Sequence, residues 1–393
     1  MKTMNLTDTI RYVGIDDTDI DLFESQYAVP RGISYNSYLI MDEKVAIIDT
    51  VDKRKSAEWW SNITEALEER TPDYLIVQHV EPDHAGCIGQ VVERFPEIQV
   101  VASVRAAQLL AQFFRYPPLL ERIMVVKEGD TLSLGRHTLQ FMMAPMVHWP
   151  EVMVTYDEAD KVLFSADAFG TFGVLEGSVT DSENTEAWPD EARRYYYNIC
   201  GKYGQPVQAL LKKVGTLDMQ RICPLHGPVL TENLAHYIGL YDTWSRYEAE
   251  SEGVLITYAS IHGSTATAAS ILASMIESKG VEVKLMDLCR TDMSAAVAEA
   301  FRMKRMVLAA SSYDGGLFTP MCDFLHRIQI KGYKGRRVAL IENGSWAPSA
   351  GRVMKQMLAE MKDIDLVEPM VTLRSTLQPT DMPAMEALAA AII

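Results

Sequence analysis

Apolar and polar positions along the chain follow two different grammars. Up to about residue 248, short β-branched runs come in pairs around polar turns. SYNSYLI and VAIIDT flank Met41-Asp42-Glu43-Lys44, and EVMVTY and KVLFSA flank Asp157-Glu158-Ala159-Asp160, which predicts two hairpins. Between and after them, KRKSAEWWSNITEALEER and the long EARRYYYNICGKYGQPVQALLKKV carry helical spacing. Hairpins mixed with helices predict strands packed in sheets with helices outside, an α+β sandwich. From Gly253 the pattern becomes strand, loop, helix, repeated: GVLITY, ATAASILASMIESKG, VEVKLMDL, RMVLAA, RRVALIE and a closing MPAMEALAAAII. That alternation predicts an α/β doubly wound parallel sheet. The polar stretch Tyr247–Gly253 reads as a linker, which gives domains at 1–248 and 253–393.

Composition narrows the class of protein. At 393 residues the chain is long enough for two cores, and 48% apolar with 23% charged residues is ordinary for a globular protein in water. A net charge of −16 argues against a nucleic-acid partner. The N-terminal MKTMNLTDTIRYVGIDD lacks the apolar core of a signal peptide, and no apolar run approaches membrane-spanning length. Five scattered cysteines without CxxC spacing read as reduced thiols, so the expectation is a cytoplasmic protein with no disulfide frame and no built-in rubredoxin.

The densest chemistry lies in QHVEPDHAG, where His79, Glu81, Asp83 and His84 crowd six residues directly after the apolar run YLIV. Polar groups packed this tightly behind a buried strand are costly unless paired or bound to an ion. Further ligands come from His148 after LQFMMAPM, Asp167 after KVLFSA and His226 after RICPL, each just past a strand-like run. Strand ends converge on one sheet edge, where sites are commonly built. Taken alone, His148 or Asp167 is more often a strand-end cap or a satisfied core residue. The HxExDH sextet has few structural reasons to exist, and it pulls the others into its orbit. Three carboxylates and four imidazoles, without thiolate, suit iron or manganese better than zinc. Hydrolases built on such a site usually read HxHxDH. Glu81 in place of the second imidazole adds negative charge that stabilises an oxidised metal pair, and points from hydrolysis toward redox work.

These residues, with GISYNSYLI, SADAFGTFG, PLHGP and YDTWSRY, resemble the flavodiiron proteins along essentially the whole chain. The resemblance implies a metallo-β-lactamase-like αββα sandwich followed by a flavodoxin-like domain. It implies that His79, Glu81 and His148 hold one iron, that Asp83, His84 and His226 hold the other, and that Asp167 bridges them. His84 is the ligand that swings away from the metal in some relatives. A tyrosine near the iron pair is also implied, and Tyr195, Tyr196 and Tyr197 offer three candidates facing three directions of one helix.

The second domain carries its own site. After VLITY, the loop Ser260, Ile261, His262, Gly263, Ser264, Thr265 precedes a helix and exposes N–H donors suited to a phosphate, although ordinary helix capping uses the same residues. No GxGxxG or GxxxxGK[ST] is present, which removes support for dinucleotide and P-loop readings. Two further strand ends bear glycine and an aromatic: Ser312, Tyr313, Asp314, Gly315, Gly316 after RMVLAA, and Asn343, Gly344, Ser345, Trp346 after VALI. Three such loops meet at the switch point of a flavodoxin-like sheet, and one phosphate loop with two aromatic loops fits FMN. Within the resemblance, Ser260 to Thr265 grip the phosphate while Tyr313 and Trp346 flank the flavin ring. His262 stands where relatives commonly have tryptophan.

The expected function is therefore an oxidoreductase with FMN and two iron ions that reduces O2 to water, NO to N2O, or both. Its electrons would come from an external donor, a rubredoxin or a reduced deazaflavin, and the resemblance implies a head-to-tail homodimer or a dimer of dimers. The rival readings are a dinuclear zinc hydrolase and an electron carrier whose metal site is structural. The run KGYKGRR (331–337) is the densest basic patch; it reads as a solvated loop, or as a docking surface for an acidic donor.

Overall fold

The computed structural model describes residues 3–181 and 188–393. The chain divides into two compact units, Met1–Asp242 and Thr243–Ile393.

In the first unit a seven-stranded sheet runs in the order Met4–Asn5, Ile10–Tyr12, Tyr38–Met41, Val45–Ile48, Tyr74–Val77, Gln99–Ser103, Ile123–Val126. A five-stranded sheet follows in the order Thr131–Ser133, Thr138–Met143, Met153–Asp157, Val162–Phe164, Arg221–Cys223. Both expected hairpins form, with Leu39 opposite Ile47 and Tyr156 opposite Leu163. Alternate residues of the two sheets meet in one core: Ile10, Tyr38, Ile48, Ile76 and Val101 from the first, Phe141, Met153, Phe164 and Cys223 from the second. This is the period-two pattern of a strand with one face turned to the opposing sheet. The opposite faces are buried as well, so the strands read as nearly continuous apolar runs. Helices Ser56–Leu67 and Val104–Phe113 cover the first sheet. On the second sheet, Lys213 of helix Gly204–Val214 donates to the Met143 carbonyl at 2.7 Å. The arrangement is an αββα sandwich.

Two expectations are revised here. The long helical stretch after Glu191 breaks: helix Trp188–Ile199 ends at Cys200, a 3-10 turn spans Gly201–Tyr203, and a new helix starts at Gly204. Two glycines within four residues lower the helix propensity enough to permit the bend. The polar stretch 247–253 is also not a free linker throughout. Its last three residues open the strand Ser251–Ala259, and Ser251 pairs with Met303.

The second unit is a parallel sheet ordered Val283–Asp287, Ser251–Ala259, Met303–Tyr313, Arg337–Asn343, then the short Asp365–Leu366 and Val371–Leu373. In chain order this is 2-1-3-4-5, the flavodoxin-like winding. Helix Ser264–Glu277 packs Ala268, Leu272 and Ile276 onto one face together with Leu388 and Ile392 of helix Met382–Ile392. No helix among the described residues is long and apolar enough to cross a membrane.

The basic run at 331–337 turns out to be partly internal. Arg336 is 3% exposed, and its guanidinium donates to the carbonyls of Met303, Tyr247 and Phe301 at 3.0, 2.8 and 2.8 Å. It is a strut, not a docking charge. Arg336→Met should therefore destabilise the second unit by about 3 kcal/mol, because three carbonyls lose a charged donor. Urea denaturation followed through that unit checks this; a change under about 0.5 kcal/mol, typical of a surface charge, would return Arg336 to the solvated patch.

Candidate metal centre and cofactor loops

The C-terminal ends of Thr138–Met143, Val162–Phe164 and Arg221–Cys223 lie at one edge of the second sheet, because the first two are separated by one antiparallel neighbour and the last two are parallel. His148, Asp167 and His226 follow these ends, and His79 follows the end of Tyr74–Val77 in the facing sheet. Glu81 immediately precedes the one-turn helix Pro82–Ala85, with its side chain free of any capping bond, and the tight turn brings Asp83 and His84 round to the same point. Gly227, at φ +79°, lets the chain turn directly after His226, where a side chain would strike the Thr171 methyl.

The seven predicted residues converge. His79 Nε2 is 3.1 Å from Glu81 Oε2 and 3.4 Å from Asp167 Oδ2, while His148 Nε2 is 3.0 Å from each of those oxygens. On the other side, His84 Nε2 is 3.3 Å from Asp83 Oδ2 and from Asp167 Oδ1, and His226 Nε2 is 3.4 Å from Asp83 Oδ2. Ligand atoms of His79, Glu81, His148 and Asp167 lie within 4.8 Å of one another, as do those of Asp83, His84 and His226. Asp167 thus gives one oxygen to each group. This matches what two cations sharing a carboxylate would need.

The protein alone leaves this pocket chemically incomplete. Both Asp83 oxygens and Asp167 Oδ1 are buried without a hydrogen-bond partner, and two imidazole nitrogens, His84 Nε2 and His226 Nε2, face each other at 3.1 Å. Inward-facing acceptors of this kind fit metal ions. A third His/Asp group does not share the property: His137 Nδ1 bonds Asp157 Oδ2 at 3.0 Å and its Nε2 bonds Thr9 Oγ1 at 2.8 Å, so it is satisfied by protein.

Supporting contacts lie behind the ligand candidates, and residue-by-residue reading of the sequence missed them. His79 Nδ1 meets Glu151 Oε1 at 2.7 Å, and His226 Nδ1 meets the Ser34 carbonyl at 2.7 Å. Buried Asp49 accepts from the Gln78 amide at 2.8 Å and fixes the strand end. An acidic residue three places after His148 was the available signal for Glu151; nothing local pointed to Ser34. Of the three tyrosines, Tyr195 approaches the site, with its ring 5.5 Å from His226 and its buried hydroxyl lacking a hydrogen-bond partner. Burial, reinforced by Asp167, holds that phenol protonated. Phe23 and Tyr35 pack edge-on to His226, and Trp149 edge-on to His79.

At the second unit's sheet edge, Ser260 Oγ accepts from the Gly263 amide at 3.1 Å, and Gly263 at φ +93° caps helix Ser264–Glu277. Thr265 and Asn343 are turned inward: Thr265 Oγ1 lies 3.0 Å from Ser311 Oγ and accepts from Asn343 Nδ2 at 3.3 Å, tying the start of helix Ser264–Glu277 to two strand ends. Ser312 Oγ accepts the Ser349 amide at 2.8 Å, at the start of helix Ala350–Leu358. Ile261, His262, Gly263, Tyr313, Asp314, Gly315, Ser345 and Trp346 are exposed, with Ser264, Gly316 and Gly344 half-buried among them. Trp346, at 89% exposed, stands clear of the fold's own core.

The model of the ODP family β-lactamase matches residues 33–227, the part of the chain that contains all seven ligand candidates. An uncharacterised protein of Methanocaldococcus jannaschii is 31% identical over 83% of this chain and 81% of its own length. The anaerobic nitric oxide reductase flavorubredoxin of Vibrio vulnificus is 29% identical over 88% of this chain and 70% of its own. The rubredoxin:oxygen oxidoreductase of Desulfovibrio gigas superposes over 100% of this chain and 98% of its own, with a TM-score of 0.91 and 26% identity.

Without metal, the pocket stores an ion-pair network whose strength depends on pH. Burial pulls the His148 imidazolium down, but the Asp167 and Glu81 carboxylates outweigh it and push the group up to about 9; against the same effect of burial, His79 is raised by Asp167, Glu151 and Glu81, and His84 by Asp83 and Asp167. Glu81 and Asp167 are held low by the imidazoles against the opposing effect of burial. A raised histidine stabilises the fold fully below its unfolded value near 6.5, and that contribution is lost as pH rises through about 9. The lowered carboxylates contribute above their unfolded range near pH 4 and lose that contribution in acid. The metal-free protein should therefore resist urea best between about pH 5 and 6.5 and lose on the order of 3 kcal/mol by pH 9.5. Equal urea midpoints at pH 6 and 9.5 in chelator-treated protein would contradict the network.

Proposed function

The chain belongs to the flavodiiron family, whose members are oxidoreductases, and from that premise we propose that it reduces O2 to water, NO to N2O, or both. The observation that carries this reading is Asp167, whose two oxygens serve two separate ligand groups, with Glu81 in one of them. His79, Glu81 and His148 would hold one iron, Asp83, His84 and His226 the other, and FMN would lie across the loops at 260–265, 312–316 and 343–346. When bound, FMN supplies one-electron transfer from a donor, and an iron pair supplies gas binding and redox change.

The residues of this chain do the positioning. Carboxylates at Glu81, Asp83 and Asp167 offset the charge of two cations, and the Glu151 and Ser34 contacts hold two imidazoles with Nε2 inward. Phe23, Tyr35, Phe172 and Tyr195 wall the His226 side, with Phe172 5.2 Å from Tyr195, and keep water from that face. Tyr195 retains its proton in a buried pocket near Asp167, and its unpartnered hydroxyl would donate a hydrogen bond to bound gas. His84 has no partner for its buried Nδ1, in contrast to His79 and His226, which supports its being held less firmly than those two. Each cofactor region belongs to a different unit, so we extend the proposal to a head-to-tail homodimer in which FMN of one copy serves the metals of the other. The electrons would come from a separate rubredoxin or reduced deazaflavin.

Purified after growth with adequate iron, the protein should be yellow and hold about two irons and one FMN per chain. Anaerobically reduced protein mixed with O2 or with NO in a stopped-flow instrument should reoxidise its flavin and consume the gas. Protein with two zincs and no flavin, inert to both gases and active on an ester or lactam, would overturn the proposal.

A further inference from the structure

The imidazoles of the metal centre are not supported alike from behind. His79 Nδ1 faces Glu151 Oε1 at 2.7 Å, and the same oxygen accepts the Val80 amide at 3.0 Å, with both side chains fully buried. His226 Nδ1 faces an uncharged carbonyl, that of Ser34, at 2.7 Å. His84 Nδ1 is buried with no partner, and so is Glu151 Oε2. Among the described ion pairs, Glu151 meets only His79, so no Lys or Arg draws this carboxylate away from the imidazole. A carboxylate acceptor places the ring proton on Nδ1, leaves the Nε2 lone pair directed inward, and raises its donor strength; a carbonyl does the last of these more weakly.

We propose that Glu151 is a positioning residue that makes the position framed by His79, Glu81 and His148 the tighter of the two metal positions, an inference that rests on the metal reading of those residues. Glu151 sits on the Nδ1 side of His79, away from the ligand atoms, and acts through that ring alone. The two positions are thereby unequal before any substrate binds: of the four imidazoles only His79 is backed by an anion, His226 is backed by a carbonyl dipole, and among the described residues no hydrogen bond lies behind His84 or His148.

The test uses the full chain stripped of metal and titrated with Co(II), read by visible absorption. Wild type should fill in two unequal steps. Glu151→Gln keeps the side-chain volume and an acceptor oxygen for His79 Nδ1 and Val80, and removes the charge. It should weaken the tighter step about tenfold and leave the weaker step in place. Single-position backgrounds identify which step moved. With His226→Ala disabling the second position, Glu151→Gln should still cost about tenfold; with His148→Ala disabling the first, it should cost nothing. A general loosening of the fold would lower both steps together, which would overturn the proposal, as would unchanged binding in Glu151→Gln. Wild type that takes up no Co(II) would overturn the metal reading and this inference with it. Failure of gas reduction alone would not touch the titration.

Discussion

Asp167 presents one oxygen 3.0 Å from His148 Nε2 and the other 3.3 Å from His84 Nε2, in a pocket where it is 1% exposed. A carboxylate stripped of water this thoroughly is tolerable only with positive charge on both sides. In the metal-free chain that charge is supplied by protonated imidazoles, which is why His79, His84 and His148 all shift upward. Cations occupying the same places would displace those protons and satisfy the orphaned oxygens of Asp83 as well. The same constraint dictates the surroundings: no lysine or arginine intrudes on Asp167 among the described ion pairs, and aromatic rings rather than polar side chains close the His226 side.

The fold delivers this arrangement through strand direction. His148, Asp167 and His226 follow three strand ends at one edge of the second sheet, His79 follows an end in the first, and the two sheets share one core. Rigid strands fix where the backbone emerges, and short loops then need only aim side chains. The flavodoxin-like unit solves its own problem similarly. Adjacent parallel strands end in the loops at 260, 313 and 344, and Thr265, at the start of helix Ser264–Glu277, ties the ends at Ser311 and Asn343 together so that the exposed Tyr313 and Trp346 stand on a firm base.

Much of this was legible from local pattern. HxExDH declared itself because so many charged groups after a buried strand have no bland explanation, and the apolar runs before His148, Asp167 and His226 marked them as strand-end residues. The change of grammar at residue 253 separated sandwich from doubly wound sheet. What stayed hidden depends on contacts distant in sequence or on rotation about a helix axis. Glu151 is 72 positions from His79, and Ser34 is 192 from His226. Which of three consecutive tyrosines lies beside His226 is set by how helix Trp188–Ile199 docks, not by its composition. Arg336 was misread for the same reason: a basic run looks solvated until the carbonyls of Met303, Tyr247 and Phe301 are seen around one member of it. The bond from Asn343 to Thr265, 78 positions apart, is likewise invisible to local pattern.

Diffraction recorded on either side of the iron absorption edge tests directly whether Asp167 joins two metals. Two anomalous peaks about 3.5–4 Å apart are predicted, with Asp167 between them, one peak within ligand distance of His79, Glu81 and His148 and the other of Asp83 and His226. A single peak, or two peaks that leave Asp167 coordinating only one, would contradict that role.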